Sequence, residues 1–115
     1  MLKESSKTCT PLTASVYAIL LALAGGEKHG YAIMKDVAEP DGGALAMGPG
    51  TLYGSLDRMM ACGLVEETGF SDDERRRYYR ITRLGRKMLG AEVTRLSRMQ
   101  SAAQRRGIQT AGGEA

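Results

Sequence analysis

At 115 residues, 43% hydrophobic and 25% charged, the chain has room for one compact domain and too much apolar material for general disorder. Its longest unbroken apolar run, residues 16–24, falls far short of the ~20 residues a membrane-spanning helix needs, which excludes an integral membrane helix. The formal net charge of +3 is divided: residues 1–74 carry five Lys/Arg against eleven Asp/Glu, and residues 75–115 carry eleven against two.

Taken in chain order, Thr13 or Ser15 can cap a first helix running to about Ala24, stopped by Gly25-Gly26. Lys3 and Lys7 ahead of this apolar stretch resemble the front of a secretory leader. Glu4, Pro11 and the helical pairing of Val16 with Leu20 and Leu23 favour a buried helix instead. A second helix is predicted from Tyr31 to Glu39, with Ile33, Val37 and Met34 turned inward, and Pro40-Asp41-Gly42-Gly43 ends it. Residues 44–48 read as a loop or very short strand.

Pro49 suits the entry of a third helix, because its missing N–H has no partner there anyway. That helix runs to about Cys62, ends at Gly63, and buries Leu52, Leu56 and Met59. Leu64–Phe70 and Arg77–Ile81 read as two strands of a hairpin, with Val65 and Phe70 facing inward and Ser71-Asp72-Asp73-Glu74 as its polar turn. Thr82 then caps a long fourth helix to about Arg106, where Leu89, Val93, Leu96 and Ala103 recur near 3.5-residue spacing, with Met99 and Gln100 beside the seam. The segmentation is therefore an amino-terminal extension (1–11), a winged helix-turn-helix (12–82), a carboxy-terminal dimerisation helix (83–106) and a flexible tail (107–115). The fold class is mainly α with a small β-hairpin.

Catalysis finds little support. One histidine and two cysteines are a poor zinc ligand set, no nucleophile sits with a base, and no cofactor is expected. His29 reads as a cap or loop hydrogen bond at the start of the second helix. Cys9 and Cys62 fit no disulfide framework, so two reduced thiols in a cytoplasmic protein are the simpler expectation. A basic stretch in a small chain suits a polyanion partner, although charge alone fits a solvated helix face equally well.

Four motifs in register sharpen this: His29-Gly30-Tyr31-Ala32-Ile33, Gly50-Thr51-Leu52-Tyr53, Gly63-Leu64-Val65, and Arg77-Tyr78-Tyr79-Arg80-Ile81-Thr82 followed by Gly85. Together they resemble the PadR family of bacterial transcriptional regulators over roughly residues 12–99. The resemblance implies a homodimeric winged-helix protein, usually a repressor, that binds a pseudo-palindromic operator. It makes the third helix the recognition helix, the hairpin the wing, and the last helix much of the dimer. Two positions depart from the pattern: Gly54 where proline is usual, and Asp57 where a basic or neutral residue is common.

With Leu52, Leu56 and Met59 inward, Gly50, Gly54 and Arg58 point the other way, and Thr51 and Ser55 lie on the adjoining flank as hydrogen-bond donors. Tyr53 is expected to pack in the core with its hydroxyl toward a phosphate. Tyr31 and the wing residues Arg75, Arg76 and Arg77 complete the candidate contacts to double-stranded DNA. Leu89, Val93, Leu96, Met99 and Ala103 are the candidate homodimer interface, since so small a domain cannot cover a helix of ~36 Å by itself. A winged helix used only for protein–protein contact is the alternative. An unidentified small-molecule effector between subunits is a further reading, for which Met88 and Met99 supply pliable lining.

Overall fold

The computed structural model describes residues 9, 12–70 and 75–111. The first helix, α1 (Ala14–Ala24), is capped by the Thr13 hydroxyl, which accepts from the Val16 N–H at 3.1 Å. It buries Val16, Ala18, Ile19, Leu20, Ala22 and Leu23, more than half its circumference, as a central helix must. The leader-like apolar run is thus the middle of the core.

A two-residue strand, β1 (Lys28–His29), follows, and nothing in the sequence pattern announces it. Next come α2 (Gly30–Ala38), burying Ile33 and Val37, and a 3-10 turn at Pro40–Gly42. Residues 44–48 are irregular and lead into α3 (Pro49–Ala61), whose Leu52, Leu56 and Met59 are fully buried. The helix stops on Gly63, left-handed at φ +80°: its N–H donates to the Met60 carbonyl at 3.0 Å, and the Leu64 N–H donates to that of Met59 at 2.9 Å.

The wing strands are β2 (Val65–Phe70) and β3 (Arg77–Ile81), antiparallel, with Val65 opposite Ile81. Thr68 is an extra residue between the Glu67–Tyr79 and Gly69–Tyr78 pairs, a bulge made possible by Gly69 at φ +99°. β1 pairs with the other edge of β3, giving a three-stranded sheet in the order β1-β3-β2. The expected hairpin is therefore the larger part of a sheet. The expected turn at residues 71–74 and the Phe70 side chain lie outside the described residues.

The last helix, α4 (Arg83–Arg105), is capped by Thr82, which accepts from the Gly85 N–H at 3.0 Å and donates to the Gly63 carbonyl at 2.6 Å. Gly85 lets α4 seat against the end of α3: a Cβ there would stand 2.2 Å from the Leu64 carbonyl oxygen. Within α4 only Gly85 and Leu89 are buried.

One expectation is corrected outright. Cys9 and Cys62 are not free thiols; their sulfurs are joined at 2.10 Å, and both residues are buried. The 53-residue separation hid this, because the pairing depends on residue 9 meeting the end of α3, which no local pattern reports.

Candidate nucleic-acid interface

The amino end of α3 is open. Gly48 occupies the cap position with no side-chain hydrogen bond, Pro49 fills the first turn, and Gly50 and Thr51 are exposed. Added Cβ atoms at Gly50 and Gly54 would meet nothing within 4 Å. Together with the exposed Arg58 they form a line at four-residue spacing along the solvent face of the helix. Ser55 is different: it is 4% exposed and turned into the core, so its expected role as a contact to DNA is withdrawn. Ser55 lies on the same side as Leu52 and Met59, and the buried stripe of α3 is wider than the three apolar positions suggest.

Tyr53 is not a core residue either, being 40% exposed. Its ring stands in the seam between α2 and α3 with the hydroxyl against Gly30, where a Cβ would lie 2.2 Å from the oxygen. The ring can occupy that seam only because residue 30 has no side chain.

His29 ties this seam to the wing. Its Nδ1 accepts from the Ala32 N–H at 3.2 Å, capping α2 as expected, and its ring meets Tyr78 edge-on at 5.3 Å. The Arg76 guanidinium approaches Nε2 to 3.1 Å. A neutral imidazole has one acceptor nitrogen, so the Ala32 and Arg76 donors compete for it, and only one of the two hydrogen bonds can hold at a time.

Tyr31, 65% exposed, stacks beyond His29 at 6.5 Å between ring centres, and the Lys35 ammonium sits 5.9 Å from the Tyr31 ring centre. Sequence reasoning passed over Lys35; its position one turn after an exposed tyrosine was the available signal.

Arg75 has a left-handed backbone at φ +58°, unusual for a residue with a Cβ, and opens the approach to β3. Arg77 donates two hydrogen bonds to Glu67 on β2, at 2.9 and 2.8 Å, and is thereby anchored to the sheet. That pairing raises the Arg77 pKa further and holds the Glu67 carboxyl below its ordinary range. Burial pushes the Tyr79 hydroxyl up.

These parts meet. His29, Gly30, Tyr31, Tyr53, Arg75, Arg76 and Arg77 line a single cleft, and Tyr31, Lys35 and Arg76 continue into an adjoining hollow. The opening turns of α2 and α3 and the start of β3 therefore share one side of the molecule, presenting aromatic rings among cations.

A second surface runs along α4. Leu89 belongs to the core at 7% exposure, so its expected place in a homodimer interface is corrected. Ala103 is half-buried, whereas Val93, Leu96 and Met99 are exposed at 45%, 38% and 55%. Beside them a groove of about 480 Å³ runs between α1 and α4, with Leu12, Tyr17, Leu21, Leu45 and Leu96 in its walls. Besides Glu67, two further carboxylates hold arginines: Glu92 on α4 pairs with Arg95, which draws the Glu92 pKa down, and Glu66 on the wing pairs with Arg80 at 2.6 Å.

Comparison with known proteins places this geometry. The model of the transcriptional regulator PadR-like family matches residues 19–91. An uncharacterised 37.1 kDa protein in transposon Tn4556 of Streptomyces fradiae is 40% identical over 84 residues, which is 70% of this chain and 22% of that relative's length. A PadR family transcription regulator from Clostridium difficile superposes with a TM-score of 0.71 at 24% identity, covering 81% of this chain and 97% of that one. Bacillus subtilis PadR, solved in complex with operator DNA, superposes with a TM-score of 0.62 at 23% identity, covering 70% of this chain and 47% of that one. At these identities the two structures establish a shared winged-helix fold.

Proposed function

The chain belongs to the PadR-like family of transcriptional regulators, and on that premise we propose that it is a repressor that binds a pseudo-palindromic operator as a homodimer in the cytoplasm. The observation that carries the reading is the shared side: Tyr31, Tyr53, Arg75 and Arg76 line one cleft next to the bare glycine line of α3. In this arrangement α3 enters the major groove. Gly50 and Gly54 allow its backbone close to the duplex, and the amino-terminal N–H groups of the helix face a phosphate. Arg58 reaches the base edges or the backbone. The wing follows the adjacent minor groove with Arg75 and Arg76, while Arg77 stiffens it through Glu67. The bound operator of the Bacillus subtilis protein supports duplex DNA as the partner here.

The exposed stripe of Val93, Leu96 and Met99 is the second half of the reading. Those side chains, left in water by one protomer, are covered when two α4 helices pair, with the α1 groove beside them receiving the partner. Two-fold pairing then sets the half-sites about one DNA turn apart.

The test is binding to the duplex upstream of the chain's own gene at several salt concentrations. A steep fall in affinity with salt and competition by the matching palindrome are expected. Salt-insensitive association, or none, would leave a module for protein contact.

A further inference from the structure

We propose that Cys9 and Cys62 form a reversible thiol–disulfide pair which, when oxidised, latches residue 9 onto the carboxyl end of α3. The two residues are bridged and buried at 6% and 5% exposure. Cys62 caps the carboxyl end of α3, its N–H still donating to the Arg58 carbonyl at 3.0 Å. Whatever holds Cys9 is therefore attached to the helix that carries the bare glycine line.

The bodies on either side of the bridge do not need it. α1 starts from its own Thr13 cap and buries Ile19, Leu20 and Leu23; α3 buries Leu52, Leu56 and Met59. What the bridge adds is a hold on residue 9 itself. A reduced cysteine packs as a small apolar group, so the pocket around Cys62 accepts either state. One sequence thus has two folded conditions, latched and released, which is the requirement for a switch.

The oxidant is a small-molecule disulfide. The Cys9 thiolate attacks one of its sulfurs, forming a mixed disulfide and expelling one thiolate. Cys62, losing its proton, then attacks the Cys9 sulfur, closes the bridge and expels the second thiolate. Two protein thiols are oxidised, one small disulfide is reduced, and the two protons pass to the expelled thiolates. Cys62 lies at the negative end of the α3 dipole, which disfavours its thiolate, so Cys9 takes the first step.

The proposal extends the DNA-binding reading, because the latched helix is α3, but its test stands apart from DNA. The full chain is equilibrated in mixtures of reduced and oxidised glutathione, thiols are trapped by alkylation, and intact mass and Tm are followed together. The expected result is closure at an intermediate glutathione ratio, with the bridged form melting about 10 °C above the reduced form, given the 53-residue loop it closes. Amide exchange in the last turn of α3 should quicken on reduction. Cys9→Ser should abolish the Tm response to dithiothreitol; since residue 9 lies outside the helices described, this variant keeps the test open even where Cys62→Ser fails to fold. A bridge closed at every ratio, thiols reduced at every ratio, or a bridge between two chains overturns the proposal. Duplex binding measured in parallel separates the readings: loss of DNA binding in both states condemns the regulator reading, and the mass and Tm curves still judge the cysteines.

Discussion

The Tyr53 hydroxyl stands 2.2 Å from where a Cβ on residue 30 would be, so the seam between α2 and α3 exists only around Gly30. At the other end of the domain, Gly85 has the same relation to the Leu64 carbonyl, also at 2.2 Å. The two glycines differ in what would have to yield. Tyr53 is a half-exposed side chain that can swing outward; a carbonyl in the main chain cannot. Gly30→Ala should therefore leave Tm within a few degrees of the parent and weaken duplex binding several-fold, as the Tyr53 ring is displaced. Gly85→Ala should cost ~3 kcal/mol and lower Tm by ~10 °C or more. Thermal melts of both variants beside a duplex titration check the contrast, and equal Tm losses would refute it.

The open space at Gly54 separates folding from recognition. A glycine inside a helix costs ~0.5–1 kcal/mol relative to alanine, and nothing lies within 4 Å of the added methyl. Gly54→Ala should raise Tm by a few degrees while reducing DNA affinity, because the methyl stands between the α3 backbone and the groove. A variant that is stabilised and binds unchanged would show that α3 does not approach DNA along that line.

The three wing arginines should not contribute alike. Replacing Arg75 and Arg76 with alanine is expected to weaken binding across many sequences and reduce the salt slope by about 2. Arg77→Ala should alter the slope by less than either, since its guanidinium is already held by both oxygens of Glu67. Affinities of the single and double variants at four or five salt concentrations decide this. An Arg77 effect as large as the other two would mean that the Glu67 pairing gives way to phosphate.

Along α4 the apolar residues fall into two kinds. Leu96→Asp should give a folded monomer by sedimentation at micromolar concentration, because Leu96 is exposed in the isolated protomer. Leu89→Asp should unfold the domain, because Leu89 lies in its core. A dimer that survives Leu96→Asp and Val93→Asp together would remove the α4 stripe from the assembly.

Much of this was legible from residue spacing alone. The three-to-four-residue recurrence of Leu52, Leu56 and Met59, the Thr13 and Thr82 caps and the Gly63 stop are local signals, and each element they delimit lies where they put it. What escaped depends on contacts between distant segments. β1 is two residues long and becomes a strand only through β3. Ser55 is buried by neighbours across the core rather than by its own polarity, and Tyr53 is kept outward by the fit of α2 against α3. The bridge joins residues that no periodicity relates. In the candidate site, the motif residues meet around one cleft, but the link that His29 makes between α2 and the wing is a tertiary fact.

The rooting of α4 at Gly85 and Leu89 has a mechanical meaning. A rod of ~34 Å whose buried residues all lie at one end acts as a lever, and a tilt of about 5° there carries its tip by ~3 Å. In the proposed dimer, the fit of one glycine against one carbonyl would thereby gauge the distance between two reading heads, and whatever loosens that fit would retune the operator spacing such a dimer accepts.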